Sequence, residues 1–286
     1  MQPSDIAAQA RGGMAPTDIS NPKYFHKVVD CQWACPAHTP VPEYIRMIAQ
    51  GRYAAAYMLN WESNVFPGIL GRVCDRPCEP ACRRGRIQTS SEANPKDPNR
   101  KTTEPVAICR LKRVAADYKG EVEAFMPDIP AAKNGKRVAL LGAGPASLTV
   151  ARDLMPLGYT CVLFEKDPKG GGLMRTNIPA FRLPGPVLDE EVDRIVGFGV
   201  EARFGQEVKS LRKLLAEGFD AVFVGTGAPK GKDLDIPGRQ AASKNIHVGI
   251  DFLTSVAFGH VEKIGKRVVV IGGGNTAMDC CRTALR

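Results

Sequence analysis

Gly142-Ala143-Gly144-Pro145-Ala146-Ser147 decides how this 286-residue chain folds, because of what stands on either side of it. Before it, Arg137 to Leu141 is a short apolar run that predicts a strand, and after it Ala146 to Leu157 predicts a helix. Gly158 precedes a second predicted strand, Thr160 to Phe164, which ends at Glu165. Strand, glycine turn, helix, strand is one βαβ unit. In such a unit Gly142 makes the tight turn and Gly144 lets backbone approach a pyrophosphate. The helix opening at Pro145 and Ala146 offers unpaired N–H groups and a positive dipole end. Ser147 takes the place of a third small residue and should still permit close helix–strand packing. Glu165, 23 residues beyond Gly142, stands where a carboxylate can accept ribose hydroxyl hydrogens. A dinucleotide is the expected ligand.

Further along, Leu188 to Phe198 predicts a helix, Ala221 to Val224 a strand, and Arg267 to Ile271 the opening strand of a second such unit. Gly272-Gly273-Gly274-Asn275-Thr276-Ala277 follows it as a second fingerprint, and the chain stops at Arg286 inside the next helix. The expectation is a fragment or the partner of a separate polypeptide, with Val268 to Ile271 poorly anchored. The residue that would select among dinucleotides belongs on the following strand of such a unit, which this sequence lacks, so that choice is not read. Toward the N-terminus, Val41 to Asn60 predicts two short helices broken at Gly51, Asn64 to Arg86 a loop, and Pro105 to Lys119 a helix. The expected domains are a disordered lead-in over 1–20, a helical domain over 21–120 and a linker over 121–135. A dinucleotide-binding domain over 136–265 and the start of a second over 266–286 complete the set.

Nothing approaches eighteen consecutive apolar residues, and Met1 to Thr17 has no apolar signal core, so no membrane insertion and a cytoplasmic location are expected. The net charge of +9 is uneven: Leu70 to Lys119 holds 12 Lys and Arg against 6 Asp and Glu. No aromatic stacking pattern is interleaved with these basic residues, so nucleic acid is not an expected partner. A solvated face and charge compensation beside anionic cofactors are the other readings.

Six of nine cysteines lie before residue 110: Cys31, Cys35, Cys74, Cys78, Cys82 and Cys109. Without a signal peptide, clustered cysteines more often bind metal than form disulfides. Structural zinc wants four tetrahedral ligands from paired knuckles, whereas iron–sulfur wants thiolates wrapped around a larger cubane, often with a following proline such as Pro36. Spacing alone ranks iron–sulfur first and leaves zinc open. Cys161, Cys280 and Cys281 read as buried structural residues. Cys280 and Cys281, adjacent on a helix, point about 100° apart and bridge poorly. His26, His38, His247 and His260 show no metal spacing, and Trp33 is expected to shield a cluster.

Glu165-Lys166, Gly170-Gly171-Gly172-Leu173, Arg175 and Ile178-Pro179-Ala180-Phe181-Arg182-Leu183-Pro184 resemble the FAD domain of the glutamate synthase small-subunit family. Val224-Gly225-Thr226-Gly227-Ala228 is similar to its later strand–turn, which touches FAD. The resemblance covers almost the whole chain from Asn21 onward. It implies FAD at the first site, with Lys166, Gly171, Gly172, Leu173, Arg175, Ile178, Pro179, Thr226 and Gly227 added to the fingerprint. It implies NADPH or NADH at Gly272, Gly274, Asn275, Thr276 and Ala277. Cys35-Pro36, Val41-Pro42, Gly71-Arg72-Val73-Cys74, Cys78-Glu79 and Cys82 are similar to that family's N-terminal module, shared by dihydropyrimidine dehydrogenase and bifurcating ferredoxin–NADP oxidoreductases. In the family this module holds two 4Fe–4S clusters.

The chain departs from that pattern. Its first cysteine run keeps only two members, so Cys31 and Cys82 alone would remain from one cluster. The other cluster would keep Cys35, Cys74 and Cys78, but its fourth ligand, Gln or Glu in the family, aligns with Lys112. Lysine is no cluster ligand, and Cys109 lies three residues earlier on the same helical face. The resemblance therefore implies one cluster held by Cys35, Cys74, Cys78 and Cys109 or a neighbour, with Cys31 and Cys82 left open as ligands of a second.

The expected fold is an α/β Rossmann-type FAD-binding domain preceded by a small helical iron–sulfur domain, with a second Rossmann unit beginning at the C-terminus. The implied function is electron transfer from NAD(P)H through FAD and the cluster to an electron-accepting partner subunit, within a hetero-oligomer. No general acid–base residue is needed, because the flavin does the chemistry. The rivals are a cluster-free diaphorase or thioredoxin-reductase-like flavoprotein and a zinc-binding scaffold.

Overall fold

The computed structural model describes residues 29–86 and 104–286. The lead-in expected over 1–20, and His26, lie outside the described residues. In chain order the helices are α1 (Asp30–Trp33), α2 (Val41–Ala49), α3 (Tyr53–Ser63), α4 (Pro67–Val73), α5 (Cys78–Ala81), α6 (Ile108–Asp117), α7 (Pro145–Leu154), α8 (Leu173–Thr176), α9 (Gly185–Val196), α10 (Leu211–Ala216), α11 (Gly249–Ala257) and α12 (Asn275–Leu285). The strands are β1 (Arg137–Leu141), β2 (Thr160–Glu165), β3 (Glu201–Phe204) and β4 (Ala221–Val224). These elements form two compact units. Among the described residues, one is drawn from those up to Asn64 with those from Asp75 to Gly120, the other from Val65–Cys74 with Glu121–Arg286.

In the first unit α2 begins with a proline in its first turn, where a missing N–H costs nothing. Val41 and Tyr44 share its buried face, and Ile108 and Ala115 line the matching face of α6. With Ala56 of α3 they form a small core that also encloses Cys31 and Cys78. The break between α2 and α3 falls at Gly51, as expected. The loop expected over Asn64 to Arg86 is corrected: α4, α5 and a 3₁₀ turn at Arg83–Arg86 occupy it. Pro67 sits in the first turn of α4, and Val65, Phe66 and Ile69 are buried in the core of the second unit. Tertiary burial therefore makes a helix of a glycine- and proline-rich stretch. A buried carboxylate, Glu191 on α9, secures it by accepting the Gly68 N–H at 2.7 Å.

The second unit is built on a parallel sheet of order β3-β2-β1-β4. β1 and β2 are central, and all but their first residues are buried, as a sheet covered on both faces requires. Val138, Leu140 and Leu163 meet α7 and α9 on one face, while Ala139, Leu141, Val162 and Phe164 meet Leu214 and Phe219 on the other. Strand order reverses between β1 and β4. Open parallel sheets bind ligands in the crevice beyond the carboxyl ends of strands at such a reversal. Arg267–Ile271, read as a strand, has no sheet partner among the described residues, and Val269 and Ile271 are 86% and 72% exposed. A strand needs a neighbour to pair its backbone groups.

Candidate functional site

At the crevice the chain approaches itself so closely that only glycine fits. Gly142 turns at φ +84°, its N–H donating to the Phe164 carbonyl at 2.8 Å. A Cβ there would stand 2.8 Å from the Gly225 carbonyl, just past the end of β4. Gly172, at φ +52°, would place a Cβ 2.8 Å from the Gly144 Cα. The Gly171 N–H donates to the Ala143 carbonyl at 2.8 Å, and the Gly225 N–H to the Leu141 carbonyl at 2.9 Å. The result is a floor of backbone without side chains at the ends of β1 and β4. Gly144 is the N-cap of α7, so the first N–H groups of that helix open onto it. A Cβ on Gly144 would meet nothing nearer than 4.0 Å, so the space beside it is open to a ligand.

Glu165 is buried beside this floor, accepting the Ala143 N–H at 2.6 Å on one oxygen and the Asp167 N–H at 3.0 Å on the other. Each carboxylate oxygen has two lone-pair sites, so the group can clasp the turn and still accept a ribose hydroxyl. The clasp was not legible in the sequence. Ser147 is fully buried and donates to the Leu141 carbonyl at 3.3 Å. A Cβ on Gly225 would overlap its hydroxyl, so the serine in the fingerprint and the glycine after β4 are complementary.

The remaining residues of the first site are placed unevenly. Thr226 and Gly227 follow β4 at the crevice mouth and are exposed, as are Lys166 and Leu173. Arg175 is engaged internally, donating to the Gly170 carbonyl at 2.5 Å and pairing with Asp189 at 2.5 Å. With Ile178 and Pro179 it lines an open cavity of about 1020 Å³ walled by α8, α11 and the end of α12. Beside it, the guanidinium groups of Arg282 and Arg286 lie over the Phe181 ring at 4.5 and 3.9 Å, and Arg182 pairs with buried Asp279 at 2.5 Å. Gly272, at φ +141°, and Gly274, the N-cap of α12, are exposed with Asn275 and Thr276, while Ala277 is half-buried.

In the first unit the thiols gather around one aromatic residue. Tyr44 is fully buried and its hydroxyl donates to the Ile108 carbonyl at 3.2 Å. Burial, then the nearby thiols of Cys78, Cys109, Cys31 and Cys35, push its phenol well above the ordinary range. Burial and neighbouring Cys82 push the Cys31 thiol up. Burial raises Cys35 too, but hydrogen bonds from the Thr39 hydroxyl and the Thr39 and Ala37 backbone, with the charge of Lys112, leave it lowered. Cys74 follows directly on α4 in the second unit and is half-buried. Glu79, which sequence reasoning missed, accepts the Cys109 N–H at 3.0 Å and so ties α5 to the start of α6. Trp33, expected as a shield, is 60% exposed and packs edge-on to His38 at 5.3 Å.

Among the described residues no disulfide forms, and no three His, Cys, Asp or Glu side chains stand close enough to hold a single metal ion as they are. Thiols are the ligands iron–sulfur clusters take, and four of them around one buried ring fit that chemistry. Cys161 and Cys280 are buried as expected, whereas Cys281 is exposed. Burial pushes Cys161 up to about 11, against a smaller lowering by Lys133. Its thiolate fraction at pH 8 is therefore on the order of one in a thousand. Iodoacetamide at that pH should label Cys281 within minutes and leave Cys161 unmodified, as read by peptide mass spectrometry.

Comparison with known proteins assigns both units. Residues 136–286 match the family model of pyridine nucleotide-disulphide oxidoreductases. The chain belongs to that family. Residues 24–124 match the model described as dihydropyrimidine dehydrogenase domain II, 4Fe–4S cluster. FAD, NAD(P)H and a 4Fe–4S cluster are thus the cofactors of the two matched domains. It is 37% identical over 282 residues to NADPH-Fe(3+) oxidoreductase subunit beta of Geobacter sulfurreducens, covering 94% of the chain and 39% of that protein. It is 34% identical to NADP(+)-dependent formate dehydrogenase subunit beta of Moorella thermoacetica, covering 90% and 38%. Identity to the glutamate synthase [NADPH] small chain of Escherichia coli is also 34%, covering 90% and 54%. The chain spans less than two thirds of the length of each of these relatives. Among the described residues no helix is long and apolar enough to cross a membrane.

Proposed function

We propose that the chain is a cytoplasmic electron-transfer flavoprotein that carries electrons from NAD(P)H through FAD and 4Fe–4S iron to an electron-accepting partner subunit. The observation that carries this reading is the joint presence, in one chain, of a glycine-floored crevice clasped by Glu165 and a set of thiols gathered around Tyr44. A cluster-free diaphorase has no use for the second, and a zinc scaffold none for the first. The relatives' names support NADPH as the nicotinamide and a subunit as the recipient.

When bound, the flavin accepts electrons in pairs and releases them singly, and the cluster carries them singly. The chain's own residues hold and orient these groups. The α7 N-terminus would face the pyrophosphate and Glu165 would hold the ribose, with Gly142, Gly144 and Gly172 leaving backbone room for them. Gly272, Gly274 and the start of α12 would serve the nicotinamide nucleotide. Cys35, Cys74, Cys78 and Cys109 are proposed as ligands of one cluster, with Cys31 and Cys82 as residues of a second.

An anaerobic dithionite titration followed at the flavin band and by electron paramagnetic resonance tests the reading. The expected result is flavin bleaching together with a low-temperature cluster signal. Bleaching with no such signal at full reduction would instead support the cluster-free flavoprotein.

A further inference from the structure

Lys112 is 7% exposed on the inner face of α6, one turn beyond Cys109. Among the described residues no carboxylate forms an ion pair with it. Three nearby cations are treated differently. Arg113 pairs with Asp117 at 3.1 Å, Arg83 pairs with Asp30 at 2.9 Å, and Lys119 donates to the Ala116 carbonyl at 3.0 Å. A cation held largely out of water without an anion is costly, and a nearby negative charge offsets that cost. The groups that could supply that charge here are thiols. Cys109 shares the helical face of Lys112, and the charge of Lys112 acts on Cys35. As neutral thiols they leave the ammonium uncompensated, but as ligands of a cluster they are thiolates whose combined charge outweighs that of the iron core.

We propose that Lys112 is the buried counter-charge of the iron–sulfur cluster, a positioning residue that raises the cluster's reduction potential and ligates nothing. The proposal rests on the cluster reading above. Its direction follows from electrostatics: reduction adds negative charge, so a fixed cation in a low-dielectric pocket stabilises the reduced state more than the oxidised one. Burial gives the charge weight that the exposed arginines of the same basic stretch lack, because solvent and salt screen those.

The test is a redox titration of anaerobically purified holoprotein, read by electron paramagnetic resonance, for wild type, Lys112→Met, Lys112→Gln and Lys112→Arg. The midpoint should move to more negative values in the Met and Gln variants and stay near wild type in Arg, with the flavin midpoint unchanged in all four. A wild-type midpoint in Lys112→Met with its cluster intact would overturn the proposal. So would an Arg variant displaced as far as Met, which would make shape rather than charge the cause. If the Met and Gln variants lose their iron, retention in Arg supports the counter-charge, and loss in all three overturns it. Wild-type protein without iron and labile sulfide would instead overturn the cluster reading itself, and the proposal with it.

Discussion

Gly142→Ala is expected to destabilise the nucleotide-binding unit by about 2–4 kcal/mol and to leave purified protein without FAD. Two costs combine. A residue with a Cβ is strained at φ +84°, and that Cβ would press to 2.8 Å from the Gly225 carbonyl. The Leu141–Gly225 hydrogen bond that ties β1 to the turn after β4 must give way to admit it. Gly144→Ala separates folding from binding. Its φ of −81° suits any residue and its nearest neighbours are at 4.0 Å, so its stability should fall by no more than about 1 kcal/mol. The new methyl nevertheless occupies the space beside the α7 N-terminus, where a pyrophosphate would lie. Denaturant unfolding gives the first quantity and flavin absorbance after desalting the second. Full FAD retention in Gly144→Ala would remove the pyrophosphate from this turn.

The second large effect concerns the thiols. Cys78→Ala and Cys109→Ala are each expected to abolish the absorption and iron of a cluster, about four atoms per cluster, while the flavin band remains. The nucleotide crevice and the thiols around Tyr44 are built from separate units, so loss of one cofactor should not carry away the other. Cys281→Ala, at an exposed thiol, is the control and should change neither. Cys109→Ala discriminates most sharply. An unchanged cluster spectrum there would move the fourth ligand elsewhere, and Cys31, also close to Tyr44, would be the residue to replace next.

What could be read from the sequence depended on how local its cause was. β1, the glycine turn, α7 and β2 were legible because a strand period, two glycines and a helical stripe are written into consecutive residues. α4 was missed because its helix depends on burial of Phe66 and Ile69 by residues far along the chain. The signal was present: a proline in the first turn, with Phe66, Ile69 and Val73 at helical spacing. Arg267–Ile271 reads as a strand by composition, yet a strand is a property of a pair, and among the described residues no neighbour exists. At the sites, residue types were legible and contacts were not. Glu165 was placed beside the nucleotide by its spacing, but its hold on the Ala143 N–H depends on how the turn folds back. Glu79 reaches the Cys109 N–H across 30 residues of sequence, a distance no short-range pattern spans.

The central claim is that one chain joins a flavin domain to iron–sulfur thiols. A count of iron, labile sulfide, zinc and FAD on anaerobically purified protein tests it most directly. The account predicts FAD together with iron and sulfide in equal amounts, about four of each per cluster, and only trace zinc. Stoichiometric zinc with no labile sulfide would contradict it.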